Sequence, residues 1–431
     1  KSFFNQKLVN FPYSLDIKSY NSPQQFRYYF TFSLLSYICL KIITDEIKLK
    51  LFLPILRLHL QGKDNNADTH NPESEMRDYS KVLAHLLSMD HLANSQGIDI
   101  KKGNKFKTKN ALNSLYSVIP KNFSFPSTQY TPTLDKVALI IVSSHECDGS
   151  KKASRDSRLS NLIGEVITMD LLPSGKVQVK TLKSLSANYV NEIMYRQPTI
   201  ILDTVTNLYH QGYRHIFYVA KTPYTSNLHL TKSDNNDNLF FLSRDLIKYI
   251  YQDYQDLYLY PVFFEQYYVR KVGKPLTQSL SLQDSRQLQD LFNDPSQKGV
   301  IFFNLFNGIT VNEDSFYNGV ISYSTLVGVY KDLLDDQAIR QNLVYNEGRK
   351  NDLLQYLTLL HFSRYEKSPD QKNPHSLKLN PYQAIVSDQS VSKLSLFKHP
   401  QNKADFNLLA FLTEVRRVLT ITPQPENHEA N

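Results

Sequence analysis

Val137-Ala138-Leu139-Ile140-Ile141-Val142 is the most apolar run in the chain, and it breaks at once into the polar loop Ser143 to Ser160. That loop carries Lys151, Lys152, Arg155 and Arg158. Two strand-like segments follow, Leu162 to Asp170 and Lys176 to Leu185, separated by Pro173-Ser174-Gly175. A Pro-Ser-Gly turn between alternating β-formers marks a hairpin, because glycine adopts positive φ without steric cost. A helix is predicted over Thr199 to Gln211, ended by Gly212 in the left-handed conformation. His215-Ile216-Phe217-Tyr218-Val219 then reads as a buried strand that runs out at Lys221. The expected order is strand, hairpin, helix, strand, with the first and last strands parallel neighbours and the hairpin beyond the first.

Composition sets the outer bounds. With 431 residues, 41% hydrophobic and 21% charged, the chain is of ordinary globular type and long enough for two or three domains. A net charge of +8 and a pI near 9.0 favour a polyanionic partner, while a basic surface kept for solubility explains the same balance. Cys39 and Cys147 are too few for a disulfide framework or a cysteine zinc site, and a reducing cytoplasm is the expected compartment. The window Phe30 to Ile43 contains Ser33, Ser36 and Lys41 and falls short of the roughly 20 residues of a membrane helix, so it is expected to be core, with no membrane partner. The sequence opens on Lys1 rather than Met, as expected of a processed or truncated piece.

Upstream of the central run, 24–43 and 46–60 are apolar. The second places Ile47, Leu51 and Leu58 at helical spacing, with Pro54 interrupting. Gly62 to Glu75 reads as a linker, Met76 to Leu92 as an amphipathic helix, and Lys101 to Lys109 as a basic loop with five lysines and no acid. Downstream, Thr222 to Asn238 reads as a loop. Leu242, Leu246, Ile247 and Ile250 mark a helix with Ser243 as cap. Tyr258 to Val269 reads as a strand buried on both faces, ending at Arg270-Lys271. Pro275 to Lys298 reads as a linker with a short helix, Val300 to Phe306 and Phe316 to Val329 as strands, and Asp352 to Tyr365 and Phe406 to Val418 as helices.

This element order resembles the ribonuclease H fold, and three segments resemble the Piwi domain of prokaryotic Argonaute-like proteins. They are Tyr260 to Lys271, Phe316-Tyr317-Asn318-Gly319-Val320-Ile321-Ser322, and Leu353 to Tyr365 followed by Leu379-Asn380-Pro381-Tyr382-Gln383-Ala384. The resemblance implies an α/β class with a mixed sheet, antiparallel hairpin plus parallel strands, and flanking helices. It gives a mixed or mostly helical N-terminal region over 1–130, a remnant of a middle domain, then a Piwi-like domain over 131–421 and a tail over 422–431. No lysine-rich pocket for a guide 5′ phosphate is legible in residues 1–130.

Active Piwi nucleases carry carboxylates at the ends of the first and fourth strands, where they hold two divalent ions. Here those ends read Val142-Ser143-Ser144 and Ala220-Lys221-Thr222. Hydroxyls and an ammonium do not supply the charge a hard cation requires, so no catalytic residue, metal or other cofactor is expected. A rival metal cluster, which would take Mg²⁺, draws on Asp148, Glu165, Asp203 and Asp388, with Glu146 just beyond the first strand. In that reading Glu165 is equally the exposed half of an alternating strand and Asp203 a solvated helix residue. His145, Cys147 and His361 are better explained as loop or packing residues than as nucleophile or ligand.

The sequence is richer in phosphate-neutralising groups. Lys151, Lys152, Arg155 and Arg158 follow the first strand, Lys221 the fourth, and Arg270 and Lys271 the fifth, where open α/β sheets place ligands. Tyr267 and Tyr268 add surfaces for base stacking. The expected function is guide or target strand binding, to single-stranded or hybrid nucleic acid, by an inactive Piwi-like protein of a prokaryotic defence system. An effector protein or a missing N-terminal domain is its expected protein partner. The alternatives are an active metal-dependent nuclease, a Rossmann-like transferase and a structural interaction module without a ligand.

Overall fold

The structure is a computed structural model that describes residues 22–47, 51–52, 55–58, 72–93, 96–99, 119–125, 130–147, 157–220, 243–270, 281–283, 299–310, 316–327, 330, 333–363, 396–398 and 405–420. In chain order the elements are α1 (Ser22–Ile47), β1 (Leu51–Phe52), β2 (Ile55–Leu58), α2 (Pro72–Leu87), β3 (Leu92–Ala93), β4 (Gln96–Asp99), β5 (Lys121–Phe123), β6 (Lys136–Glu146), β7 (Leu159–Leu171) and β8 (Val177–Val190). There follow α3 (Asn191–Arg196), α4 (Thr199–His210), β9 (His215–Ala220), α5 (Arg244–Asp253), β10 (Tyr258–Arg270), β11 (Ser281–Gln283), β12 (Gly299–Thr310) and β13 (Phe316–Val327). The chain closes with α6 (Asp335–Val344), α7 (Glu347–Ser363), β14 (Leu396–Lys398), β15 (Asp405–Asn407) and α8 (Leu408–Thr420).

β6 fixes the architecture because both of its faces are apolar. Val137, Leu139 and Ile141 enter one core with Phe217, Val219, Tyr260 and the α7 residues Leu353, Tyr356, Leu357 and Leu360. Ala138, Ile140 and Val142 enter a second core with Ile201, Val205 and Leu208 of α4 and Leu246, Ile247 and Ile250 of α5. A strand buried on two sides needs no polar alternation, which is why its sequence reads as one run. The sheet around it has nine strands in the order β11-β12-β13-β10-β9-β6-β7-β8-β5. β6 pairs antiparallel with β7 and parallel with β9, and β7 pairs antiparallel with β8. β9 pairs parallel with β10, and β10 antiparallel with β13. The result is an α/β mixed sheet with helices on both faces, compatible with a ribonuclease H-like arrangement. The expected adjacency of Val137–Val142 and Ile216–Val219, with the hairpin beyond β6, is observed.

Local chemistry places the turns. Gly175 at φ 74° closes the β7–β8 hairpin, and Gly212 at φ 89° ends α4. Lys136 donates to the Gln211 carbonyl at 3.0 Å and so caps the same helix end. The Ser243 hydroxyl accepts from Leu246 N at 3.0 Å and starts α5. Gly164 lies opposite Val142, where a Cβ would stand 2.3 Å from the Ile141 carbonyl oxygen. Asp352 of α7 is buried and accepts from Tyr130 and Thr133 hydroxyls, Thr133 N at 2.7 Å and Leu134 N at 3.1 Å, which pins the segment leading into β6. Tyr356 adds a hydroxyl bond to the Leu134 carbonyl at 2.6 Å.

A third core gathers Tyr37 of α1, Tyr79, Val82, Leu83 and Leu86 of α2, Ile163 of β7, and Leu408, Leu409 and Leu412 of α8. The two ends of the described chain therefore pack together on the sheet. Arg416 and Lys41 both reach Asp90, Arg416 Nε at 3.1 Å and Lys41 Nζ at 3.8 Å, and tie α8, α1 and the turn after α2.

Several expectations are corrected. Segment 46–60 is not a continuous helical face: Leu51–Phe52 and Ile55–Leu58 are strands on either side of Pro54, paired in parallel with β3 and β4. β6 continues four residues past Val142, through Ser143 to Glu146, before the loop begins. Within 275–298, Ser281–Gln283 is an edge strand paired with β12. α6 was not foreseen; its i→i+5 bonds, such as Tyr345 N to the Arg340 carbonyl at 2.9 Å, widen the helix and break the 3.6-residue pattern. Window 30–43 is core on one side only, since Leu35, Ile42 and Ile43 are exposed. Segments 101–109, 222–238 and 379–384 lie outside the described residues. No described helix is long and apolar enough to cross a membrane.

His215, at the start of β9, is buried beside an arginine and two tyrosines. Its Nδ1 is 2.8 Å from the Tyr260 hydroxyl, its Nε2 is 3.3 Å from Arg349 Nη1, and its ring stacks on Tyr258 at 4.8 Å. Burial, reinforced by the Arg349 charge and partly offset by Asp352, lowers its pKa from 6.5 to about 3. The folded protein keeps the ring neutral where the unfolded chain takes a proton. Its contribution to stability is therefore full above 6.5 and is lost as pH falls toward 3. Acid unfolding is expected to steepen over that window by up to about 1.4 kcal/mol per pH unit. Urea titrations across pH should show His215→Gln flattening this limb.

Candidate functional site

Parallel strands β6 and β9 end on the same side of the sheet, and the start of β7 and the end of β8 come to the same place. The last described β6–β9 pair is Val142 with Ala220, so Ser143 to Glu146 extend beyond it and, among the described residues, pair with β7 through Ser160 to Ile163. The loop is closed by Cys147 N donating to the Leu159 carbonyl at 2.8 Å. Asn191 N donates to the Arg158 carbonyl at 2.8 Å and joins the first residue of α3 to the residue before β7. At the far end of α3, the Ser243 hydroxyl donates to the Arg196 carbonyl. This six-residue helix, about 9 Å long, thus runs from Arg158 to the start of α5.

Three arginines mark that edge. Arg158 is half-buried beside the Ser157 turn, Arg196 is exposed on the last turn of α3, and Arg244 is the half-buried first residue of α5. Arg196 shares its charge with Glu192 at 3.1 Å, an exposed i,i+4 pair of the kind worth little in stability. Sequence reading chose Arg158 but missed Arg196 and Arg244. Six residues are too few for a periodic signal, and the Ser243–Arg196 bond joins positions 47 apart in the chain. The Ser243 cap, with the apolar spacing of Leu246, Ile247 and Ile250, was the clue that Arg244 begins a helix here.

The remaining predicted residues divide. Lys151, Lys152, Arg155, Lys221 and Lys271 lie outside the described residues. Arg270 does not join the edge: β10 pairs with β9 only as far as Phe263–Ala220, and Arg270 pairs with Tyr317 seven residues later. At about 3.3 Å per residue that is roughly 23 Å farther along the strand, on a ribbon formed with β13 and β12.

The rival carboxylates are not brought together. Glu165 pairs with Ile141, whose side chain belongs to the core under α7, whereas Asp203 lies on α4, which covers the opposite face. Glu165 is buried, 6% exposed, and accepts from the Thr181 hydroxyl at 2.8 Å. The expectation of an exposed strand face is thereby corrected: β7 is buried on both sides from Ser160 to Met169 because helices cover each face. Asp203 is exposed, as a solvated helix residue should be. Asp148 and Asp388 lie outside the described residues. Among the described residues no three His, Cys, Asp or Glu side chains are grouped to hold a metal ion. Cys147 Sγ faces the Asn407 amide at 3.9 Å and the His145 carbonyl at 3.8 Å, with His145 itself on β6.

The sequence matches no protein-family model and no curated protein.

The separation of Glu165 and Asp203 is testable. Glu165→Ala is expected to cost about 0.5–1.5 kcal/mol, because it removes the hydrogen bond between a buried carboxylate and the half-buried Thr181 hydroxyl. Asp203→Ala should leave the denaturation midpoint nearly unchanged. If both substitutions instead abolished one Mg²⁺-dependent cleavage activity, the two carboxylates would be working as a pair.

Proposed function

We propose that this chain is a ribonuclease H-like protein of Piwi type that binds a guide or target nucleic acid strand without cutting it. The fold identity is supported by the order β8-β7-β6-β9-β10 with its directions, a hairpin beside a central strand and two parallel strands beyond it. The observation that carries the binding reading is the set Arg158, Arg196 and Arg244 around α3 at the carboxyl end of the parallel strands. Guanidinium groups at such an edge suit phosphate oxygens, which they meet with paired N–H donors. Inactivity is supported by the opposite faces on which Glu165 and Asp203 lie, and by the hydroxyls of Ser143 and Ser144 as the first residues of β6 past its last described pair with β9, Val142–Ala220. Recognition is then this chain's task, and an associated effector protein would act on the bound strand.

A salt titration of binding to a short single-stranded RNA and its DNA counterpart tests this reading. Replacing Arg158, Arg196 and Arg244 by Gln should weaken binding and flatten the dependence of log K on log salt by about 2, at about 0.7 per lost contact. Replacing Lys176, Lys350 and Arg417 by Gln changes net charge equally and should leave most of the slope. Equal losses would make the charge diffuse; no binding by the unaltered protein at low salt would remove nucleic acid as the ligand.

A further inference from the structure

We propose that the exposed face of α1 is a self-association surface, on which a second copy of this chain packs its own α1 antiparallel. α1 carries no charged residue between Arg27 and Lys41, and one side of it is already used. Tyr29, Ser33, Tyr37, Lys41 and Thr44 are buried, and Tyr37 sits in the core shared with α2 and α8. The other side repeats at helical spacing through Thr31, Leu35, Cys39 and Ile42, all exposed, with Leu35 at 56% and Ile42 at 55%. A helix apolar all round belongs in a core, and among the described residues α1 has core partners on one side alone.

Charge selects the occupant and its direction. Exposed Arg27 stands near the start of α1, and exposed Asp45 and Glu46 near its end. A parallel copy would set like charges together; an antiparallel copy sets opposite ones together. With the two helices centred near Ser36 and Tyr37, Leu35 of one copy falls opposite Cys39 of the second and Thr31 opposite Ile42. In the same register Arg27 reaches the level of Glu46. The apolar stripe and the charged ends thus agree on a single alignment, as a two-fold interface requires. A helix of 26 residues is about 39 Å long, so the contact lies near the small end of stable interfaces and predicts a reversible, concentration-dependent dimer.

Sedimentation of the full chain through the micromolar range tests the proposal. The unaltered protein should dimerise, a short bis-maleimide should trap the dimer through Cys39, and Leu35→Glu or Ile42→Glu should return it to monomer with unchanged circular dichroism. Arg27→Glu and Glu46→Arg should each weaken the dimer, and the double reversal should restore it. Within one helix these residues are roughly 28 Å apart, so rescue reports contact between copies. Should an apolar-to-charged variant fail to fold, the charge reversals at exposed positions decide. A monomer at every concentration, a dimer indifferent to Leu35→Glu, or monomers that bind phosphatidylcholine–phosphatidylserine vesicles through this face would overturn the proposal.

Discussion

Burial of β6 on two faces is the constraint on which the other elements depend. Leu139 and Ile141 need cover on one side, Ile140 and Val142 on the other, and a single helical layer cannot supply both. The chain answers with α4 and α5 on one face and α6 and α7 on the other, and α1, α2 and α8 extend the second layer over Ile163. Close packing leaves its mark on the neighbouring strand, where Gly164 has no room for a Cβ beside the Ile141 carbonyl. Asp352 then secures the amino end of β6, since four donors from 130–134 converge on its buried carboxylate.

The same constraint explains what could be read from the sequence. An uninterrupted apolar run, a turn glycine at Gly175, a helix-ending Gly212 and the Ser243 cap are local signals, and each specified its element. Glu165 was misread because the alternation rule assumes one wet face, and β7 has none. Segment 46–60 was misread because apolar residues around Pro54 fit a broken helix as well as two short strands. The arginines of α3 and α5 were missed for another reason. Their proximity depends on Asn191 bonding to Arg158 and Ser243 to Arg196, contacts that no spacing in the chain encodes.

Architecture also bears on chemistry. A two-metal centre needs carboxylates that converge on one point. In this sheet the residues opposite Val142 and Ile141 are Gly164 and Glu165, and Glu165 turns into a core where Thr181 occupies it. Positive groups, by contrast, require only a common edge, and α3 supplies one by spanning the gap between β8 and α5. Arg270 belongs to a separate ribbon of β10, β12 and β13, so a strand reaching both would run along the sheet rather than across its end.

Hydrogen–deuterium exchange, with and without a short single-stranded RNA at low salt, tests the central claim most directly. Protection confined to 157–160, 190–196 and 243–247 is the predicted result, with the amino end of the sheet around Gly175 and Gly212 unchanged. Binding that protected only that amino end, or left the α3 edge exchanging as before, would contradict the account.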